Sequence, residues 1–437
     1  MPKKTKAKRK PANPDFRART QVPAPPVAAI AQRLRAMLTP SAFAPLRNTH
    51  GTVKRRDRLL TLPVMVAIVV SLVWRQIPSL QELLRVLALE GLLWTDALTV
   101  SKQALSKRLA NLPASLFADL FADVVRHSPP VAVAAPGALA GVAKRFAALW
   151  LADGSTLEAL RRKLKALRQQ ADSPLAGKMM MVVDALTRRP RQAFYSANAN
   201  ANDKRFGDQL LSALPTGGLL VVDLGFFSFA WFDKFTEAQK YFVTRQREKT
   251  ASKTVAVLSD HPHYRDEIIE LGQYRSNPCR HAVRMVSVLW HGQWYRYLTN
   301  VLDDQQLSAR EVCQLYQSRW RIEEAFLLTK RLLGLSYLWV GGKNGVEIQV
   351  YATWIFYTVL TDVCAQVGQA LAQPVEKISV EMVFRALYHY SRALERDEEV
   401  ELLNFLVTHA KLLDLVKAER KRHRQRAAEN LKVWGEP

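Results

Sequence analysis

Residues 315–326 read LYQSRWRIEEAF, and this stretch decides how the rest of the chain is interpreted. It contains no proline or glycine, and the next glycine along the chain is Gly334. Apolar residues recur within it and after it at Ile322, Phe326, Leu327 and Leu333. This spacing predicts one amphipathic helix that ends at the glycine.

Four polar residues of the predicted helix share one narrow stripe. At about 100° per residue, they lie within about 60° of one another over about four turns: Tyr316, Arg319, Glu323 and Lys330. A carboxylate can ligate Mg²⁺, whereas arginine and lysine bind phosphate oxygens and a tyrosine can donate its hydroxyl. The alternative is an ordinary solvated face of Glu, Arg and Lys pairs. The narrowness of the stripe favours a site.

Two aspartates further upstream have the setting that such a site needs. Asp153 follows the apolar run 147–152 and precedes Gly-Ser, and Asp223 follows the run 218–222 and precedes Leu-Gly. Each aspartate alone is more often a turn or cap residue. Together with Glu323, however, carboxylates at the ends of adjacent strands can hold two divalent ions against a phosphodiester.

The spacing Tyr-x2-Arg-x3-Glu-x6-Lys, with Asp-Gly-Ser and Asp-Leu-Gly before it, resembles the signature of bacterial DDE transposases of the insertion-sequence-four family. The resemblance covers roughly residues 140–340. It implies that the three acids are catalytic metal ligands for two Mg²⁺ ions, for which Mn²⁺ can substitute. It further implies that the tyrosine, arginine and lysine of the signature contact DNA. Hairpinned element ends and a dimeric synaptic complex are also implied.

Trp290 and Trp294 lie in a predicted β-hairpin. Alternating runs at 282–289 and 293–300 flank His291-Gly292, which reads as a turn. The resemblance implies that an insertion tryptophan stacks on a base flipped out near the cleavage point, and such stacking is physically reasonable. Packing within the hairpin is the alternative for either ring.

The order of predicted elements indicates an α/β fold: a ribonuclease-H-like mixed sheet interrupted by a β-rich insertion, with helical N-terminal and C-terminal regions. The predicted divisions are a flexible basic arm at 1–27, a helical DNA-binding domain at 28–140, a catalytic domain at 141–247 and 306–345, a β-rich insertion at 248–305, and a helical region with a basic tail at 346–437. Residues 101–109 resemble the second helix of a helix-turn-helix, although a plain bundle surface explains the same pattern.

Composition points to a polyanionic partner. The formal net charge is +24 over 437 residues, and the excess extends beyond the basic termini into the body of the chain. The three cysteines form no C-x-x-C pair, which favours reduced thiols over a disulfide framework or a zinc module. The apolar run 59–74 is shorter than a bilayer span of about 20 residues and is predicted to be a buried core helix. We therefore expect a cytoplasmic, nucleoid-associated bacterial protein without a membrane partner.

These observations predict a cut-and-paste DNA transposase. Its partners would be double-stranded DNA, as terminal inverted repeats and as target, and a second copy of the chain in the synaptic complex. Two alternatives stay open: a catalytically silent, transposase-derived DNA-binding regulator, and a stand-alone nuclease on the same fold.

Overall fold

The computed structural model describes residues 23–38, 59–128, 139–157, 177–335, 343–418 and 433–434. Most of the predicted basic arm, residues 1–22, and most of the predicted basic tail, residues 419–432, lie outside the described residues.

Helices occur on both sides of a run of strands. Within the described residues, the helices are α1 Ala28–Met37, α2 Leu62–Trp74, α3 Leu80–Leu89, α4 Lys102–Asn111, α5 Ala114–His127, α6 Ala140–Ala143, α7 Gly207–Ala213, α8 Phe229–Glu237, α9 Ala309–Ser318, α10 Trp320–Arg331, α11 Lys343–Ala370, α12 Val380–Leu394 and α13 Leu402–Thr408. The strands are β1 Leu149–Thr156, β2 Lys178–Asp184, β3 Pro190–Ser196, β4 Leu219–Val221, β5 Tyr241–Arg245, β6 Ser252–His261, β7 Tyr264–Leu271, β8 Val283–Trp290 and β9 Gln293–Thr299.

All nine of these strands join one sheet, in the order β3-β2-β1-β4-β5-β9-β8-β7-β6. The pairs β1–β4 and β4–β5 are parallel, whereas β5–β9 and the pairs of the 248–305 segment are antiparallel. The predicted mixed α/β class with a large mixed sheet is therefore confirmed. The segment 248–305 extends the sheet that carries β1, because β9 pairs directly with β5.

The two faces of the sheet bury different layers. Successive side chains of a strand alternate between faces, so Leu151, Val221 and Val243 pack into the core shared with the N-terminal and C-terminal helices. The intervening residues Leu220 and Phe242 pack on the other face, against α7 and α8. Residues two positions further along these strands therefore lie on the face that the helical layer covers.

The helical layer is organised around α11. This helix is long and apolar enough to cross a membrane, but its apolar window is entirely buried inside the protein. Helix α2 is likewise buried along ten residues, which confirms the core helix predicted for 59–74. Helices from both ends of the chain share one core with α11.

The stretch 315–326 does not form one helix. A capping box at Ser308 starts α9, and Gly334 adopts a φ of +81° just after α10 ends. Between α9 and α10, the amide of Arg319 donates to the carbonyl of Tyr316 at 3.2 Å instead of one residue further back. The predicted continuous helix is therefore wrong at Arg319, where one tighter turn divides it.

Candidate active site

The parallel strands bring distant polar residues to one level. Their registers align three buried residues, one from each strand: Leu151 of β1, Val221 of β4 and Val243 of β5. Strand β4 ends at Val221, and extending these registers by two residues brings Asp153, Asp223 and Arg245 to one level, with neighbouring strands about 4.8 Å apart. All three side chains lie on the face that the helical layer covers, since a step of two residues keeps the face.

Asp153 lies inside strand β1. The sequence had predicted that it follows the strand, and that prediction is wrong. Strand β1 continues to Thr156 because it pairs with β2, where Asp153 lies opposite Met181. Asp223 does follow its strand, and its Oδ1 accepts a hydrogen bond of 2.7 Å from the amide of Gly225. Both carboxylates are thus held by regular backbone structure.

Arg319 connects the sheet to the helix. Its Nη1 donates to Oδ2 of Asp153 at 2.5 Å, and its Nη2 donates to Oε1 of Glu323 at 3.1 Å. Its guanidinium also lies over the rings of Tyr316 and Trp320, at 5.9 and 5.5 Å from their centroids. The Nε of the same side chain is buried without a hydrogen-bond partner. One guanidinium therefore bonds to two of the predicted metal ligands and still has one N–H group without an acceptor.

Lys330 reaches the end of β1. Its Nζ donates to Oγ of Ser155 and to the carbonyl oxygen of Thr156, the latter at 2.7 Å. Burial lowers the pKa of this amine, and the charge of Asp153 partly opposes that shift. The structure thus brings Arg319 and Lys330 to β1 and joins Glu323 to Arg319. Tyr316 of α9 instead lies against Tyr297 of β9, with their ring centroids 5.0 Å apart.

The electrostatics of Asp153 are unusual for an aspartate. Burial raises its pKa to about 6, and although Arg319 opposes this shift, the neighbouring Asp223 and Asp203 add to it. A carboxyl group crowded by other carboxylates gains from a nearby cation. The shift is therefore consistent with a cation site, although a structural ion-pair network can also produce one.

The sequence did not single out Arg245 or Asp203. Arg245 lies over the ring of Tyr295, 5.4 Å from its centroid, and its charge lowers the pKa of the adjacent Tyr316, which burial raises overall. Among the described residues, no carboxylate forms an ion pair with Arg245. The spacing of 22 residues after Asp223 could have revealed it only once β4 and β5 were known to be parallel neighbours.

The two predicted stacking residues lie at the tip of the β8–β9 hairpin. Trp294 is 46% exposed, whereas Trp290 is half-buried. The turn between them is formed by His291 and Gly292, both with positive φ. Trp320, which sequence reasoning passed over, is 62% exposed and lies against Arg319.

The carboxylates of Asp153, Asp223 and Glu323 have the chemistry of ligands for a divalent cation. Among the described residues, no three His, Cys, Asp or Glu side chains stand in an arrangement that could hold one metal ion. The physical reason lies in Arg319, whose guanidinium bonds to both Asp153 and Glu323. Asp153 and Asp223 fit a cation by their chemistry and by their matching positions along β1 and after β4. Glu323 would first have to release the guanidinium of Arg319.

Comparisons with known proteins agree with this picture. A family model described as "Transposase DDE domain" matches residues 152–359, which include all three acids. The chain is 26% identical over 219 residues to "Putative transposase y4zB" of Sinorhizobium fredii, covering 48% of this chain and 59% of that protein. It is 28% identical over 167 residues to "Probable transposase for insertion sequence element IS5377" of Geobacillus stearothermophilus, covering 36% and 42%. The chain thus spans about half the length of these relatives.

Among solved structures, the chain is similar to one described as a cryo-EM structure of the piggyBac transposase synaptic complex with hairpin DNA. The TM-score is 0.40 at 10% identity, and the match covers 92% of this chain and 89% of that chain.

Proposed function

We propose that this chain is a DDE transposase, an enzyme that cleaves DNA at the ends of a mobile element and joins those ends to target DNA. The observation that carries the proposal is the bridge that Arg319 makes between Asp153 and Glu323. These acids are far apart in the sequence, and both fall within the region that matches the transposase domain. The similarity to two transposases supports the same activity.

The finer assignment rests on the signature. Tyr316, Arg319, Glu323 and Lys330 have the spacing of the insertion-sequence-four family. Arg319 bonds to Asp153 and to Glu323, and Lys330 bonds to Ser155 of the same strand as Asp153. We extend the proposal to that family and to a ribonuclease-H-like catalytic domain formed by 141–247 and 306–345. A hairpin at the cleaved end is part of the same proposal.

Asp153, Asp223 and Glu323 would hold a divalent cation, Mg²⁺ or Mn²⁺. When bound, such a cation activates the attacking oxygen and stabilises the leaving oxygen of an in-line displacement. The remaining chemistry belongs to the chain. Arg319 neutralises the acids before DNA arrives, and its planar guanidinium can then take a phosphate bidentately. This exchange would free Glu323 for the cation.

The DNA would lie along the exposed side of this cluster. Lys330 supplies a point charge at the end of β1, and the hydroxyl of Tyr316 can donate to a phosphate oxygen. Arg245, level with Asp223 and without a carboxylate partner among the described residues, extends the positive surface along β5. These groups would hold the strand on either side of the scissile phosphate.

The N-terminal helices would recognise the terminal inverted repeats. Helix α4 buries Leu105 and Leu109 and exposes Lys102 and Lys107, which is the division expected of a helix laid in a major groove. Its N-cap is Ser101, whose side chain accepts from the amide of Ala104 at 3.2 Å. Because one active site acts at each element end, we propose that two copies of the chain assemble on the paired ends.

Cleavage and binding, measured separately, test the proposal. Asp153→Asn should abolish Mg²⁺-dependent cleavage and joining of DNA that carries the element ends, while a gel-shift assay shows unchanged binding. Asp184→Asn is the matched control, because Asp184 lies on the neighbouring strand β2 but caps a turn and pairs with Arg191 at 3.0 Å. It should leave cleavage intact.

Three results would contradict the proposal in different ways. Normal cutting by Asp153→Asn places the active site elsewhere. Binding without cleavage by the wild-type protein supports the regulator, and cleavage without joining supports the stand-alone nuclease.

A further inference from the structure

Asp203 lies between Gly154 of β1 and the turn at Gly225 that follows Asp223. A Cβ atom added to Gly154 would lie 2.2 Å from Oδ1 of Asp203, and one added to Gly225 would lie 3.3 Å from Oδ2 of Asp203. Gly154 follows Asp153 directly in β1, and Gly225 lies two residues after Asp223. The Asp203 carboxylate therefore occupies space that a side chain at Gly154 would take, and it lies close to Gly225 as well.

A lysine holds this carboxylate in place. Nζ of Lys178 lies 2.6 Å from Oδ1 of Asp203 and donates to the carbonyl oxygen of Ala201 at 2.9 Å. Lys178 is the first residue of β2 and lies opposite Thr156 of β1. Both side chains of the ion pair are largely buried, at 12% and 19% exposure. The pair is thus tied to the sheet on one side and to the turn after β3 on the other.

The position of Asp203 follows from local structure. Asn202 caps a short 3-10 helix, Asp203–Phe206, and its side chain accepts a hydrogen bond from the amide of Lys204 at 3.1 Å. This cap fixes the backbone from which the Asp203 side chain projects. The carboxylate is close enough to Asp153 to contribute to its raised pKa. Asp203 therefore acts on the acidic site both by its volume and by its charge.

We propose that Asp203 is a positioning residue of the cation site: it sets the separation between β1 at Asp153 and the turn that begins at Asp223, and with Lys178 it sets the charge that an incoming cation meets. This inference rests on the proposed function. It assigns Asp203 no direct contact with the reacting phosphate. Lys178 is the counter-ion that keeps a third carboxylate tolerable beside the other two when no cation is bound.

Binding of Mn²⁺ to the full chain, followed by the electron paramagnetic resonance of free Mn²⁺, separates this role from a structural one. Asp203→Asn keeps the shape and removes the charge, so we expect roughly tenfold weaker Mn²⁺ binding, at the lower end of the losses known for partners of metal ligands. Lys178→Met removes the opposing charge and should strengthen binding. The double variant should lie between the two.

Asp208→Asn is the matched control. Asp208 lies on α7, is 79% exposed and pairs with Lys234 at 2.7 Å, so its variant removes the same charge without affecting the contacts at Gly154 and Gly225. It should bind Mn²⁺ as the wild type does. The opposite signs expected for Asp203→Asn and Lys178→Met cannot come from misfolding, which would weaken binding in both.

The outcomes distinguish the two proposals. If the wild type binds Mn²⁺ and Asp203→Asn binds it equally well, Asp203 only supports the fold and the inference is wrong. Weaker binding by both Asp203→Asn and Lys178→Met has the same meaning. If the wild type itself binds no Mn²⁺, the proposed function fails first.

Discussion

Two buried arginine–aspartate pairs on the same sheet differ in how completely they are satisfied. In the insertion, Arg284 is fully buried and binds both oxygens of Asp266, at 2.7 and 2.5 Å. Its remaining nitrogen donates to the carbonyl oxygen of Leu307 at 2.5 Å. At the candidate site, Arg319 divides its contacts between two acids and leaves Nε without a partner.

This difference indicates a different role for each pair. A buried ion pair is tolerated when geometry and additional hydrogen bonds satisfy every donor and acceptor. The Arg284 pair meets that condition and joins β7, β8 and the loop before α9. The Arg319 pair does not meet it, and it lies beside carboxylates that repel one another. The first arrangement stabilises the fold, whereas the second leaves a buried donor unpaired, as the proposed exchange of Arg319 from the acids to a phosphate requires.

The largest expected effect breaks the satisfied pair. Arg284→Met leaves Asp266 buried without its partner, and removing one member of such a pair costs about 3–5 kcal/mol. Arg319→Met should cost far less stability, because Asp153 can take up a proton near neutral pH. Urea denaturation of both variants in EDTA measures the difference. Equal losses of unfolding free energy would remove the distinction between the pairs.

The stability of the protein should depend on pH through Asp153 of the Arg319 pair. Because the pKa of Asp153 is raised from 3.8 to about 6 in the folded protein, the folded state binds the proton more tightly than the unfolded state does. The stabilisation is complete below about pH 4 and is lost as the pH rises through 6, with a total of about 3 kcal/mol.

Asp153→Asn should lack this contribution. The measurement is the difference between its unfolding free energy and that of the wild type across pH 4–8 without divalent cations. A difference that does not change between pH 4 and 7 would contradict the assigned environment of Asp153. Added Mn²⁺ should reduce the loss above pH 6 in the wild type only.

Sequence reasoning reached the parts of this site that local pattern encodes. The helical period groups Glu323 with Lys330 on α10, and the apolar runs 147–152 and 218–222 mark β1 and β4. It could not find Arg245 or Asp203, since their positions depend on which strands are neighbours and on a turn after β3. The break at Arg319 was equally hidden, because 315–326 contains no residue that interrupts a helix.

The sheet shows the same limit. Alternation at 282–289 and 293–300 was enough to predict the β8–β9 hairpin, because the turn at His291-Gly292 is local. That β9 pairs with β5 is a long-range choice that no short pattern carries. The segment 248–305 therefore continues the sheet that carries β1, and the Arg284 and Arg319 pairs lie on the same sheet.

A smaller effect is expected at Arg245. If it binds a DNA phosphate, Arg245→Met should weaken binding of element-end DNA about tenfold and lower the salt dependence of binding by the equivalent of about one phosphate contact. Arg265→Met is the control, because Arg265 is exposed and already paired with Asp260 at 3.1 Å. An unchanged salt slope in Arg245→Met would show that this arginine only packs against Tyr295.

The smallest effect is expected at the hairpin tryptophans. As with the two arginine pairs, we expect one tryptophan to serve binding and the other to serve the fold. Trp294 is half-exposed at the hairpin tip and can stack on an extrahelical base, so Trp294→Ala should weaken binding of DNA with one unpaired base near its end by about 1 kcal/mol. Trp290 is more buried, and Trp290→Ala should lower stability instead. Fluorescence of 2-aminopurine at the unpaired position measures the stacking. Equal fluorescence changes in both variants would mean that the hairpin as a whole, and not one ring, contacts the base.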